Sequence, residues 1–245
     1  MNIVYEPRGR AKEYSDLACN LYMGCSHGCK YCFAPACMRK TSAVWHSNIY
    51  PRKNALLSLE KDAALLNKRN DQRAVLFCFL SDPYQPLEKK EKLTHQALKI
   101  MRQYQIKSKI LTKGCCELIE ADLPLMKEAG TEFGITICFT DDSSRQNWEP
   151  EAAPISDRFE ILKKAHAAGI YTWVSLEPVI DPQQALEVIR QGAPYVDKWK
   201  IGKLNHMKDE ESKVDWLTFR EEAESLLTSL NADYYIKDDL RKIKA

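Results

Sequence analysis

The chain has 245 residues, 44% of them hydrophobic and 29% charged, with a formal net charge of +2. This profile belongs to soluble globular proteins with a substantial core, and the length suits one domain of α/β-barrel size spanning residues 1–245. No run of about 18 apolar residues occurs, so no membrane-spanning helix is expected, and the balanced charge argues neither for nor against nucleic acid. The opening MNIVYEPRGR carries no apolar signal segment, so the nine cysteines are expected to stay reduced in the cytoplasm rather than pair as disulfides.

Short apolar runs alternate with longer helical stretches, the pattern of parallel strands joined by crossover helices. Leu17 to Met23 reads as the first strand and feeds directly into the run GCSHGCKYCFAP. A helix over Arg52 to Lys68 follows, with Leu56, Leu59, Ala63 and Leu66 on one face. The second strand is Ala74 to Leu80, followed by a helix over Leu87 to Tyr104. Ser108 to Thr112 is the third, followed by a helix over Leu118 to Ala129, and Phe133 to Phe139 is the fourth. Ser156 is expected to cap a helix that runs to Ala168 and stops at Gly169. Tyr171 to Leu176 is the fifth strand, Pro182 to Gln191 a helix, and Val196 to Ile201 the sixth strand. Beyond it a C-terminal extension over 206–245 holds a helix started by Asp215 and a short closing strand, Tyr234 to Ile236.

Each strand ends in polar residues, and barrel enzymes react at the C-terminal ends of their strands. The cysteine run follows the first strand, Ser81-Asp82-Pro-Tyr84-Gln85 the second and Thr112-Lys113 the third. Thr140-Asp141-Asp142 and Arg145 follow the fourth, Glu177-Pro178 the fifth, and Lys200, Lys203 and Asn205 the sixth.

The cysteine run, residues 24–33, places three residues between Cys25 and Cys29 and two between Cys29 and Cys32. A 4Fe–4S cube has four irons, and three thiolates hold three of them, leaving the fourth open. Gly24 and Gly28 suit a loop folded tightly around such a cube. Zinc is the competing reading, because Cys29-Lys-Tyr-Cys32 is also a two-spaced knuckle that His27 or Cys37 would complete. No second two-spaced pair of ligands occurs in the chain to support it.

This spacing resembles the cluster loop of the radical S-adenosylmethionine (SAM) superfamily. The resemblance implies a partial (β/α)6 TIM-type barrel, a 4Fe–4S cluster on Cys25, Cys29 and Cys32, and SAM on the open iron, cleaved after electron transfer to a 5′-deoxyadenosyl radical. It also implies an electron donor such as flavodoxin or ferredoxin. Tyr31 stands where the family usually has an aromatic residue beside the adenine. The stretches SDPYQPLEKKEKLT, ILTKG and WEPEAAP, the last followed by Arg158, are similar to the spore photoproduct lyase-like branch. On that resemblance Ser81 and Asp82 stand where other members bind the methionyl amino group, Lys113 meets its carboxylate, and Thr112 or Thr140 meets the ribose. Asp82 before a proline is equally suited to capping a turn, and Lys113 to being a solvated loop lysine.

The branch returns a hydrogen atom from a cysteine near the second strand. The nearest counterpart, Cys78, lies inside the expected strand; Cys115 and Cys116, after the third, are rival donors nearer the mouth, and Cys116 is the candidate taken here. Buried free cysteine acting as a small hydrophobe is the plainer account of Cys19, Cys78 and Cys138. Glu177, expected at the barrel mouth, needs a partner if buried, either Lys200 or Lys203 from the next strand end or a substrate amine. Tyr84, Arg145 and Lys203 are candidate substrate contacts; Arg158 is a further cation suited to a phosphate or carboxylate, ranked below Arg145 and Lys203 because its helix position equally suits a solvated charge. The expected function is therefore a radical SAM enzyme of unidentified substrate, with a nucleic acid or nucleotide as one candidate and lyase activity not transferred, and with a non-catalytic iron–sulfur or zinc protein, or a metal-knuckle nucleic-acid module, as alternatives.

Overall fold

The computed structural model describes residues 2–243. Its main sheet has seven strands in the order β1 (Leu17–Cys19), β4 (Val75–Phe77), β5 (Ser108–Thr112), β6 (Glu132–Thr136), β7 (Thr172–Val179), β8 (Lys198–Lys203) and β9 (Asp233–Ile236), every neighbouring pair parallel. With crossover helices between the strands this is the partial TIM-type barrel expected, and the closing strand is a full seventh member of the sheet. A separate two-stranded ribbon pairs β2 (Tyr22–Met23) with β3 (Tyr50–Pro51).

Strand residues alternate between two faces. Val75, Phe77, Ile110, Phe133, Val174 and Trp199 join the main core beneath the helices, whereas Ala18, Leu76 and Trp173 cluster with Tyr14 on the inner face. The inner packing depends on Gly134: a Cβ there would lie 2.1 Å from Trp173 Cε2 and 2.6 Å from the Ile110 carbonyl oxygen.

The expected first strand is broken after Cys19. Asn20 leaves the sheet, accepting from the Leu80 amide at 2.9 Å and donating to the Tyr5 hydroxyl at 2.9 Å. The turn that results aims the following cysteine run across the top of the barrel. The expected helix over Leu87 to Tyr104 is divided into Glu88–Glu91 and Leu93–Gln103 by Lys92 at φ +51°. Glu88, buried, caps the second piece through the Thr94 and His95 amides, at 2.9 and 3.2 Å. Ser156 is not a cap: the helix is Ile155–Ala167, and its first amide donates to Asp142 Oδ1 at 3.0 Å. Asp215 does cap Trp216–Ser229, accepting from the Thr218 amide at 3.1 Å.

Seven strands leave two open edges, β1 and β9, and residues 5–14 join them. Tyr5 and Ala18 exchange backbone hydrogen bonds of 2.9 Å on the β1 side. On the β9 side Glu13 accepts from the Tyr235 hydroxyl at 3.0 Å and the Asp238 amide at 2.9 Å, and Arg10 pairs with Asp239 at 3.2 Å.

Because Trp173 has no space to yield toward β6, Gly134→Ala is expected to destabilise the fold by about 1–3 kcal/mol. Thermal melting should show this as a Tm loss of roughly 2–4 °C per kcal/mol for a chain of this size; an unchanged Tm would mean that Trp173 repacks freely.

Candidate active site

The three cysteines lie on a loop fastened from three sides. Gly24, at φ +78°, admits no side chain, since a Cβ would sit 2.5 Å from the Asn48 carbonyl oxygen. The buried Gln85 side chain bridges the loop, accepting from the Ser26 amide at 3.2 Å and donating to the Gly24 carbonyl at 3.4 Å. His46 Nδ1 lies 2.7 Å from the Cys25 carbonyl. The third fastening is the WEPEAAP segment: the Trp148 carbonyl accepts from the Lys30 amide at 2.9 Å, and the His27 carbonyl accepts from the Glu151 amide at 3.1 Å. Cys25 and Cys29 are buried and Cys32 is half-buried.

Burial raises all three thiol pKa values, that of Cys29 to about 12. The Lys113 ammonium opposes this at Cys29, and a cation beside a thiol favours the thiolate that a metal requires. The donor set, three thiols on one tight loop with a cation alongside, fits an iron–sulfur cube, in which each thiolate holds a separate iron. Among the described residues no three His, Cys, Asp or Glu side chains converge as a single-ion site demands.

Behind the loop lies a charged group inside the protein. Lys113 Nζ sits over the Tyr31 ring, 5.6 Å from its centroid, and the Tyr31 hydroxyl donates to Glu149. Glu149 pairs with Arg158 at 2.6 Å, both side chains 0% exposed. Arg158 also donates to the Ala153 and Thr136 carbonyls, at 2.8 and 3.1 Å. Burial alone would raise the Glu149 pKa, but Arg158 and Lys113 hold it below the ordinary glutamate value. Arg158 is therefore not the solvated charge that its helix position suits.

Several other expected site residues are occupied by the fold. Asp82 accepts from the Tyr84 amide at 2.8 Å, the Thr112 hydroxyl at 2.6 Å and the Lys113 amide at 2.8 Å, with His27 Nε2 3.2 Å away. Against its burial, these partners hold its pKa at about 2. Both its oxygens accept hydrogen bonds from the loop, as a turn cap does, and the Thr112 hydroxyl is engaged along with it. Ser81 is half-buried and turns toward the Tyr22 carbonyl, 3.4 Å away. Tyr84 is buried and donates to Asp122 at 2.8 Å, on the helix side of the sheet. Arg145 is buried and brackets WEPEAAP by donating to the Pro150 and Ala152 carbonyls, at 2.9 and 3.1 Å. Lys203 pairs with Glu211 at 2.8 Å. Cys116 packs against the main core near Asp157 on the neighbouring helix, with a thiol pKa raised by burial to about 12. Cys78 likewise joins the main core, at φ +61° just beyond β4. Thr140 and Gln184 are joined at the end of β6, the Thr140 amide donating to Gln184 Oε1 at 2.9 Å.

Glu177 faces the barrel lumen, but its partner is neither Lys200 nor Lys203. Lys237, just beyond β9, donates to both its oxygens, at 2.9 and 2.8 Å, and the Tyr14 hydroxyl donates to it as well. Gly202 on β8 leaves the space, since a Cβ there would lie 2.8 Å from Glu177 Cδ. Lys237 and Tyr14 lie outside the six strand ends and give no motif in the sequence. One sequence signal, however, does bear on the site: no Asp or Glu occurs between Asp16 and Glu60. This acid-free stretch exposes Lys30, Arg39 and Lys53 along with Phe33, Val44 and Tyr50.

Removing one member of a fully buried ion pair strands the other charge, so Arg158→Met is expected to cost about 3–5 kcal/mol. Denaturant unfolding should also show that Glu149→Leu introduced alongside Arg158→Met recovers part of the loss; a double variant no more stable than Arg158→Met would show that the pair is not what the site leans on.

A family model described as the Radical SAM superfamily matches residues 19–191. An uncharacterised protein of Methanocaldococcus jannaschii is 27% identical over 197 residues, covering 79% of this chain and 72% of that protein. An uncharacterised protein of Acidianus two-tailed virus is 24% identical over 204 residues, covering 79% of this chain and 66% of its own length. Among solved structures, a spore photoproduct lyase variant with bound AdoMet and dinucleoside spore photoproduct superposes with a TM-score of 0.67 at 14% identity, covering 94% of this chain and 78% of that one. Streptococcus suis SuiB bound to S-adenosylmethionine gives 0.61 at 13%, covering 89% of this chain and 49% of SuiB. The family match takes in the cysteine loop and the strands β4 to β7, and with it this chain belongs to the radical SAM superfamily.

Proposed function

We propose that this chain is a radical SAM enzyme that holds a 4Fe–4S cluster on Cys25, Cys29 and Cys32 and acts on a substrate of the nucleic-acid or nucleotide class at the barrel mouth. The observation that carries the reading is the cysteine loop itself: three thiols at the superfamily spacing, fastened over the strand ends, with Lys113 beside Cys29. When bound, the cluster and SAM supply a 5′-deoxyadenosyl radical.

The chain's own residues supply position and shielding. Lys113 and Tyr31 form the face that receives the cofactor, Lys113 as the cation for its carboxylate and Tyr31 as the aromatic neighbour of the adenine. Thr140, joined to Gln184, is the remaining polar group for the ribose. Asp82, His27 and Gln85 hold the loops rather than the cofactor. Glu177, held in place by the two hydrogen bonds from Lys237, faces the lumen as the group that orients the substrate. The spore photoproduct lyase neighbour was solved with a dinucleoside ligand, which supports the substrate class proposed.

Radical SAM enzymes also need a reductant, and the exposed cations of the acid-free stretch between Asp16 and Glu60, Lys30, Arg39 and Lys53, suit an acidic one-electron donor such as flavodoxin or ferredoxin. Such encounters are transient and steered by charge. Reduction of the cluster by flavodoxin should therefore slow as ionic strength rises. Joint replacement Arg39→Glu and Lys53→Glu should slow it roughly tenfold, with reduction by dithionite unchanged. An equal rate for the double variant would remove this surface from electron delivery.

Anaerobic reconstitution tests the central reading. The wild-type protein is expected to bind about four irons per chain and to release 5′-deoxyadenosine from SAM when reduced. Alanine at Cys25, Cys29 or Cys32 should abolish both, while Cys37→Ala keeps both. Lys113→Met should keep the iron and weaken SAM binding roughly tenfold, the loss expected for one charge-assisted hydrogen bond. Stoichiometric zinc without iron, or reduced cluster-loaded protein that never cleaves SAM, would defeat the proposal.

A further inference from the structure

At the N-terminal end of the barrel, opposite the strand ends that carry the cysteine loop, a cavity of about 1120 Å³ opens among the starts of β5, β6, β7 and β8. Barrel interiors at this level are ordinarily filled by bulky branched apolar side chains. Here the inward positions are Lys109, Lys198 and Lys200, with Trp173 as the apolar floor. Lysine at such positions costs desolvation unless each charge is answered.

The answers are incomplete. Lys109 pairs with Glu132 at 2.8 Å and Lys198 with Asp233 at 2.9 Å. Lys200, 8% exposed, has no carboxylate within ion-pair distance among the described residues. Its ammonium donates to the Glu13 and Tyr14 carbonyls, at 2.9 and 3.0 Å, and lies 5.3 Å from the Trp173 ring centroid. Two of its three N–H donors are thereby used and one is left. Lys107, exposed at the rim, also lacks an ion-pair partner among the described residues. In all, five cationic side chains line the cavity against three carboxylates.

We propose that this cavity binds a small polyanion of the phosphate or carboxylate class, with Lys200 at its floor and Lys107 at its rim. The site is separate from the cysteine loop and does not depend on the reaction proposed above. The state of Lys200 agrees with it: burial, with Lys109, Lys198 and Lys237 nearby, brings its pKa down to about 8, although Glu132 acts the other way. A bound anion would relieve that cost, whereas an apolar or neutral ligand would deepen it.

Isothermal titration calorimetry on the reconstituted protein at low ionic strength tests this, with pyrophosphate and citrate as the two probes. One-site binding is expected for at least one of them, pyrophosphate alone identifying the phosphate class and citrate alone the carboxylate class. Affinity should fall roughly tenfold in Lys200→Met. Because Lys200 also holds the Glu13 and Tyr14 carbonyls, Lys107→Glu provides the second variant: an exposed position that leaves the fold intact and should weaken binding roughly fivefold to tenfold by placing an acid at the rim. Cys25→Ala, at the other end of the barrel, should bind as the parent does. Absence of binding by both probes, or affinity unchanged in both Lys200→Met and Lys107→Glu, would overturn the proposal.

Discussion

The arrangement around the cysteines depends on one interaction, the ion pair between Glu149 and Arg158 with no solvent on either side. Taking two charges out of water costs several kcal/mol per ion, and only good geometry with further hydrogen bonds offsets it. Those further bonds decide what the pair holds in place. Arg158 reaches the Thr136 carbonyl at the end of β6 and the Ala153 carbonyl in WEPEAAP, while Glu149 takes the Tyr31 hydroxyl from the cysteine loop. A single pair thus ties three chain segments, one from each of the sheet, the bracketing segment and the loop. Lys113 adds the positive charge that lets Glu149 remain ionised beside thiols that burial keeps neutral. The price is a site that tolerates little change behind the cysteines, since every member answers another's charge.

Much of the fold was readable because its signals are local. Apolar runs of strand length, Asp215 as a helix start and Gly169 as a stop all come from neighbouring residues, and β5 matches its expected limits, Ser108 to Thr112. The misreadings arise where a distant group decides the outcome. Leu17 to Met23 has the composition of one strand, yet Asn20 is pulled out of it by Leu80 and Tyr5. Ser156 has the right chemistry for a cap, yet the first helical amide, that of Ile155, is answered by Asp142, thirteen residues before it. The candidate site shows the same division. Cysteine spacing is legible because one loop carries it all. Asp82, Arg145 and Tyr84 are polar at the right strand ends, but polarity does not show whether an oxygen or a guanidinium is already taken by the fold. Lys237 and Tyr14 were invisible for the opposite reason, being brought to Glu177 only by the closing strand and by the segment that joins the sheet edges.

That joining segment links local packing to the two ends of the barrel. A seven-stranded sheet leaves β1 and β9 unpaired on their outer sides, and unpaired edges invite other strands. Residues 5–14 bridge the gap and in doing so insert Tyr14 into the lumen, where it packs against Trp173 with ring centroids 6.0 Å apart. The lumen is therefore closed between the mouth and the N-terminal cavity, so a ligand at one end does not share space with a ligand at the other.

The closure is also a physical connection. Lys200, at the floor of the lower cavity, lies 4.9 Å from the Tyr14 ring centroid and holds the Tyr14 carbonyl. The hydroxyl of the same tyrosine reaches Glu177, and Lys237 sits over its ring at 4.6 Å while donating to both Glu177 oxygens. One aromatic side chain is thus in contact with a cation from each end and with the carboxylate that faces the mouth. Contiguous packed groups of this kind are what energetic coupling requires, although contiguity alone does not create a second state. An anion that neutralises Lys200 would alter the field at Tyr14 and the hold on its backbone, both of which bear on the position of Glu177. By this route charge at the N-terminal end would act on the mouth without any movement of the strands between them.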